Sequence, residues 1–130
     1  VPQLSAPAMA FGALFAMHCH VFGQLMDVEE DVAAGRRTTA SVTGVVGGKL
    51  LVAALMLAEA VIAFRWFTHA VVAAFMVAGA AVFLGDAIFG YRSKPYPVFF
   101  SKAFFLGWNA LVVVTAYVVW KTGVFMLVDG

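Results

Sequence analysis

Apolar residues fall into four long blocks along this chain, and polar residues collect in the gaps between them. The blocks span residues 5–26, 45–64, 70–90 and 99–120. Each has about the 20 residues that a helix needs to cross a hydrocarbon layer. Small side chains recur within them: Ala6, Ala8, Ala10, Gly12, Ala13 and Ala16 in the first block, and Ala74, Ala78, Gly79, Ala81 and Gly85 in the third. Such positions let helices approach closely in a membrane. Two of the gaps are short. Arg65–His69 reads as a turn whose Trp66 and Phe67 suit the headgroup zone, and Tyr91–Pro97 holds two prolines that exclude a continuous helix. The pattern predicts an all-α membrane protein with four transmembrane helices.

Composition agrees. Of the 130 residues, 64% are hydrophobic and only 12% charged, with a mean hydropathy of +0.98; a soluble domain carries about a quarter charged residues. A net charge of +1 gives no basic surplus for nucleic acid. The single cysteine, Cys19, excludes an internal disulfide. The chain opens Val-Pro-Gln, with neither a methionine nor the basic start of a signal peptide. Val1 is therefore expected to be an internal residue of a longer protein.

A few polar side chains interrupt the blocks. His18 and His20 are two apart and point about 200° from each other on a helix, which suits a bundle-facing or interfacial role rather than a shared metal. Glu59 is an intramembrane acid and so a functional candidate; it also lies close enough to the next gap to reach water or Arg65. Asp86 is expected either to pair with Arg92 or Lys94 at the interface or to line the same cavity as Asp27. Asn109 suits a hydrogen bond across helices. Arg36, Arg37, Lys49, Arg92, Lys94 and Lys102 fall on the side of the first gap, and Arg65 and Lys121 on the other. The positive-inside rule then puts that gap in the cytoplasm and both chain ends outside.

The first gap, residues 27–44, is unlike the other two. Its run Asp27-Val28-Glu29-Glu30-Asp31-Val32-Ala33-Ala34-Gly35-Arg36-Arg37-Thr38-Thr39 packs four acids and two arginines beside a membrane span. If Asp27 to Asp31 is helical, the two aspartates are four apart and project from one face. A magnesium ion held by two carboxylates commonly takes substrate phosphate oxygens as further ligands, and arginine supplies fixed positive charge to the same phosphate. Glu30, three residues after Asp27, can join the metal's surroundings, whereas Glu29 points elsewhere. Ala40–Gly48, small and Gly-rich, is expected to turn the chain back towards the membrane.

The string D-x-x-x-D-V-x-x-G-x-R-T-T, followed by Gly44 and a new span, closely resembles the second aspartate-rich motif of the UbiA superfamily of intramembrane prenyltransferases. Asp27 and Asp31 match the motif's paired aspartates, Gly35 its glycine, Arg37 its basic position and Thr38-Thr39 its Ser/Thr pair. The resemblance implies a bundle of about nine transmembrane helices, of which this chain is the C-terminal part. It implies Mg2+-dependent transfer of a prenyl group from a prenyl diphosphate to a lipophilic acceptor such as a quinone precursor, a chlorophyllide or a carotenoid-like molecule. Asp27, Asp31 and Glu30 then serve the metal, and Arg36, Arg37 and Thr39 the diphosphate. In that family a first aspartate-rich motif completes the metal site. No counterpart occurs here, since Glu59, Asp86 and Asp129 are the only acids outside the run. The missing N-terminal helices are expected to bring it, and the fragment alone is expected to be inactive.

Three other readings compete with this one. The run is otherwise a solvated loop whose charges pair with each other. A transporter or channel segment would instead use Glu59, Asp86 and Asn109 to line a path. A non-enzymatic membrane subunit would keep the run as a relic.

Overall fold

The computed structural model describes residues 4–122, and Asp129 lies outside them. Among the described residues all regular structure is helical. In chain order the helices are α1 (Ala6–Met26), α2 (Val28–Ala33), α3 (Thr39–Arg65), α4 (Ala70–Ile88) and α5 (Val98–Thr122). α1, α3 and α4 are each long and apolar enough to cross a membrane, and the stretch Val98–Val114 of α5 is a shorter apolar helix.

Local chemistry sets the helix ends. Ser5 caps α1 by accepting a hydrogen bond from Ala8 N at 3.3 Å, with Pro7 in the first turn. Thr38 caps α3 reciprocally: its hydroxyl accepts from Ser41 N at 3.2 Å, and Ser41 Oγ accepts from Thr38 N at 2.8 Å. His69 Nδ1 accepts from Val72 N at the start of α4. α4 stops at Ile88, two residues short of the expected end, and the prolines hold off α5 until Val98.

Residues 27–44, expected as a loop, are mostly helical. α2 occupies 28–33, and a short link follows before the capped turn of α3. The expected turn at Ala40–Gly48 reduces to one residue. Gly44 breaks α3 with φ 76° and ψ 166°, a region essentially closed to residues with a Cβ. The unbroken helix thus resumes at Val45, where the apolar pattern puts the start of the second span.

α3 lies at the centre, packed on both α1 and α4. Glycines stand at both contacts: a Cβ on Gly48 would meet the end of the Leu25 side chain, and one on Gly79 the end of Met56, so either substitution requires that side chain to shift. The core comprises Phe11, Val21, Phe22 and Leu25 of α1, Val52, Ala53, Met56, Ala60 and Ala63 of α3, and Ala73, Met76, Ala80 and Phe83 of α4. α5 meets them through aromatic rings four residues apart on one face. Phe100, Phe104 and Trp108 form a ladder that continues from Tyr96, and Phe104 packs on Phe22 at 4.5 Å between centroids. Large apolar side chains such as Phe75, Val77, Val82 and Phe105 remain exposed, as a lipid-facing surface requires.

Candidate functional site

The acidic run is built around a helix that is only six residues long. Asp27 ends α1, with its N–H on Gly23 O at 3.3 Å, and begins α2, with its carbonyl accepting from Asp31 N at 2.9 Å. Its carboxylate is exposed and caps nothing. Asp31, one turn on, is buried to 5% exposure. Gly35 then takes the left-handed conformation, φ 69°. Gly35 N bonds to Val32 O at 3.1 Å and Arg36 N to Asp31 O at 2.8 Å. This pair of bonds is a Schellman closure, which favours glycine at its left-handed position. It returns the chain over Asp31 and brings Arg36 Nη1 to 3.1 Å from Asp31 Oδ1.

The sequence-derived site residues separate accordingly. Asp27 and Asp31 stand at the two ends of one helical turn. Arg36 is tied to Asp31 although mostly exposed, and Arg37 is exposed without an ion pair among the described residues. Glu29 and Glu30 are exposed. Thr38 is committed to the α3 cap, whereas Thr39 is exposed at the first residue of α3. Among the described residues no group of three or more His, Cys, Asp or Glu side chains comes together as a metal cage. Asp27 and Asp31 lie one turn apart along the backbone, the Asp27 carboxylate exposed and that of Asp31 paired with Arg36, with Glu30 exposed between them. Carboxylate oxygens are the kind of donor that magnesium takes. Gln24 braces the run from α1, its Oε1 accepting from Ala40 N at 3.2 Å.

Two polar clusters inside the bundle were not legible as clusters. In the first, His18 Nδ1 and Glu59 Oε1 are 2.5 Å apart, at 1% and 0% exposure. Glu59 reaches neither water nor Arg65, because His18 meets it from α1. Cys19 Sγ lies 3.6 Å from His18 Nε2. Both ring nitrogens of His18 are therefore engaged, Nδ1 with Glu59 and Nε2 with the Cys19 thiol. His20 points away and bonds to Gln24 at 2.8 Å.

In the second cluster, Lys49 Nζ is fully buried and lies 2.7 Å from Asp86 Oδ2. It donates to Arg92 O at 2.8 Å and sits 4.7 Å from the Tyr96 ring centre. Asp86 also accepts from Tyr96 Oη at 2.6 Å and from Tyr91 N at 2.8 Å. Asp86 thus pairs with Lys49 and Tyr96, not with Arg92 or Lys94. Burial, reinforced by the hydrogen bond to Asp86, pushes the Tyr96 phenol well above its usual range. Asn109 bonds within its own helix, Nδ2 donating to Phe105 O at 2.7 Å, instead of across helices. Glu59, Asp86 and Asn109 therefore have separate partners. Lys49 carried a signal that was counted only as loop charge: a lysine inside an apolar span needs an acid close by.

Comparisons with protein-family models, with curated proteins and with solved structures returned no match for this chain.

Proposed function

We propose that this chain is the diphosphate-binding part of an intramembrane prenyltransferase that moves a prenyl group from a prenyl diphosphate to a lipophilic acceptor. The observation that carries this reading is the acidic turn: Asp27 and Asp31 one helical turn apart, with Arg36 folded back on Asp31, where an apolar helix meets its link to the next. The motif string supports the same reading. Asp27 and Asp31 would hold Mg2+, with Glu30 beside them. When bound, the ion neutralises the charge that develops on the departing diphosphate.

The chain's own residues do the rest. Arg36 and Arg37 place fixed positive charge and hydrogen-bond donors at the phosphate oxygens, and the Thr39 hydroxyl adds a neutral donor. Asp31 holds Arg36 in place before substrate arrives, which lowers the ordering cost of binding. The apolar bundle beside the turn accommodates the prenyl chain and keeps water from the reacting carbon. In this reading the chain is a multi-pass part of a bundle of about nine helices, with the acidic turn in the cytoplasm. A further aspartate-rich motif on helices outside this chain completes the site.

The test is Asp27→Ala and Asp31→Ala, each in the full-length protein. Both should abolish Mg2+-dependent transfer from a prenyl diphosphate while the protein still purifies as a folded species. Undiminished transfer in either variant overturns the assignment.

A further inference from the structure

Two buried polar atoms have no hydrogen-bond partner among the described residues, Glu59 Oε2 and Trp108 Nε1. Both belong to side chains that contact His18. Glu59 bonds to His18 Nδ1 through its other oxygen, and the Trp108 ring meets the imidazole edge-on at 5.5 Å between centroids. One orphan is an acceptor and the other a donor. In a hydrocarbon surround neither has water to fall back on, so each carries a large cost unless something polar meets it. A hydroxyl group is the smallest group that supplies both kinds of partner, its O–H donating to a carboxylate and its oxygen accepting from an indole N–H.

Trp108 also lines an apolar groove of about 470 Å³ between α3, α4 and α5, together with Met56, Gly79, Phe83, Phe104 and Gly107. Met56 is three residues before Glu59 on α3, so the groove opens within one turn of the polar atoms. We propose that the His18–Glu59–Trp108 cluster binds the hydroxyl group of a lipophilic alcohol whose apolar body occupies this groove. Glu59 is the specificity-determining acceptor, and His18 is a positioning residue that holds its carboxylate. The site is separate from the acidic turn: His18 precedes Asp27 by nine residues on α1, about 13 Å of helix. It does not depend on the prenyl-transfer reading, and its test uses no diphosphate and no metal.

The probe is 1-dodecanol, added to full-length protein carrying 15N-labelled tryptophan in lipid nanodiscs, with dodecyl methyl ether as control. The Trp108 indole N–H resonance, assigned by its loss in Trp108→Phe, should shift saturably with the alcohol. The ether can accept from the indole but cannot donate to Glu59, and its half-saturation should be about tenfold higher, the value of one hydrogen bond. Glu59→Gln should weaken the alcohol by a similar factor and leave the ether unchanged. Equal half-saturation for alcohol and ether in the unmodified protein overturns the proposal, as does a Trp108 resonance that fails to saturate with the alcohol. The comparison of the two probes stands even where Glu59→Gln fails to fold.

Discussion

Gly35 and Gly44 hold backbone angles that few other residues accept, and each acts on the acidic turn from one side. A Cβ on Gly35 meets no neighbouring atom, so Gly35→Ala is opposed only by its φ of 69°. The left-handed conformation costs a residue with a Cβ about 1–2 kcal/mol. Gly35→Ala should lower stability by that amount and loosen Arg36 from Asp31; Gly44→Ala should cost about 1–3 kcal/mol, because its angles lie in a still sparser region. Chemical unfolding of the detergent-solubilised variants measures both. Tyr96 offers a pH readout. Its folded-state pKa is raised, so its contribution to stability is complete below the ordinary tyrosine value of about 10 and is lost as pH climbs beyond it. Unfolding midpoints measured on the alkaline side should fall more steeply for the unmodified protein than for Tyr96→Phe. Equal slopes would remove Tyr96 from the account.

Among the elements, α3 is the one the others are assembled on. Its Lys49 joins it to α4 through Asp86 and to the Tyr91–Pro97 link through Arg92 O and Tyr96. Lys49→Met leaves Asp86 with its charge and without its cation. Breaking such a pair from one side costs about 3 kcal/mol. The same substitution in an Asp86→Asn background should cost clearly less, and the double-mutant cycle should return a coupling of about 1–3 kcal/mol. A coupling near zero would mean that the Tyr91–Pro97 link is held by its aromatic rings alone. The Tyr96–Phe100–Phe104–Trp108 ladder runs from this cluster to His18, so the two buried polar clusters lie at the ends of one aromatic face.

At the scale of the whole molecule, the arrangement sorts the links between helices onto two ends. The Lys49–Asp86 pair and the Tyr96 contact tie the first half of α3 to the end of α4, so the acidic turn and Tyr91–Pro97 share an end. Lys49 is buried and leaves the count of loop charges. Arg36, Arg37, Arg92, Lys94 and Lys102 still outnumber Arg65 and Lys121 on the opposite end. In a cysteine-free background, Thr68→Cys should react with a membrane-impermeant maleimide on intact cells, and Ala34→Cys only after permeabilisation. The reverse pattern would invert the proposed orientation and put the acidic turn outside the cell.

Taken alone, the sequence was enough for the helical class and near-true helix limits, and for three helices long and apolar enough to cross a membrane, because length and hydropathy are local properties. The condition that Asp27 to Asp31 be helical is met, so the two aspartates stand one turn apart on the backbone. What belongs to tertiary structure is every pairing between helices. Glu59 lies 41 residues from His18 and Asp86 lies 37 from Lys49, separations that no local pattern encodes. Only packing α1 and α4 against α3 decides which acid meets which base. Even the acidic run changed in kind: Gly35, read as a motif position, proves to be the hinge that carries Arg36 back onto Asp31.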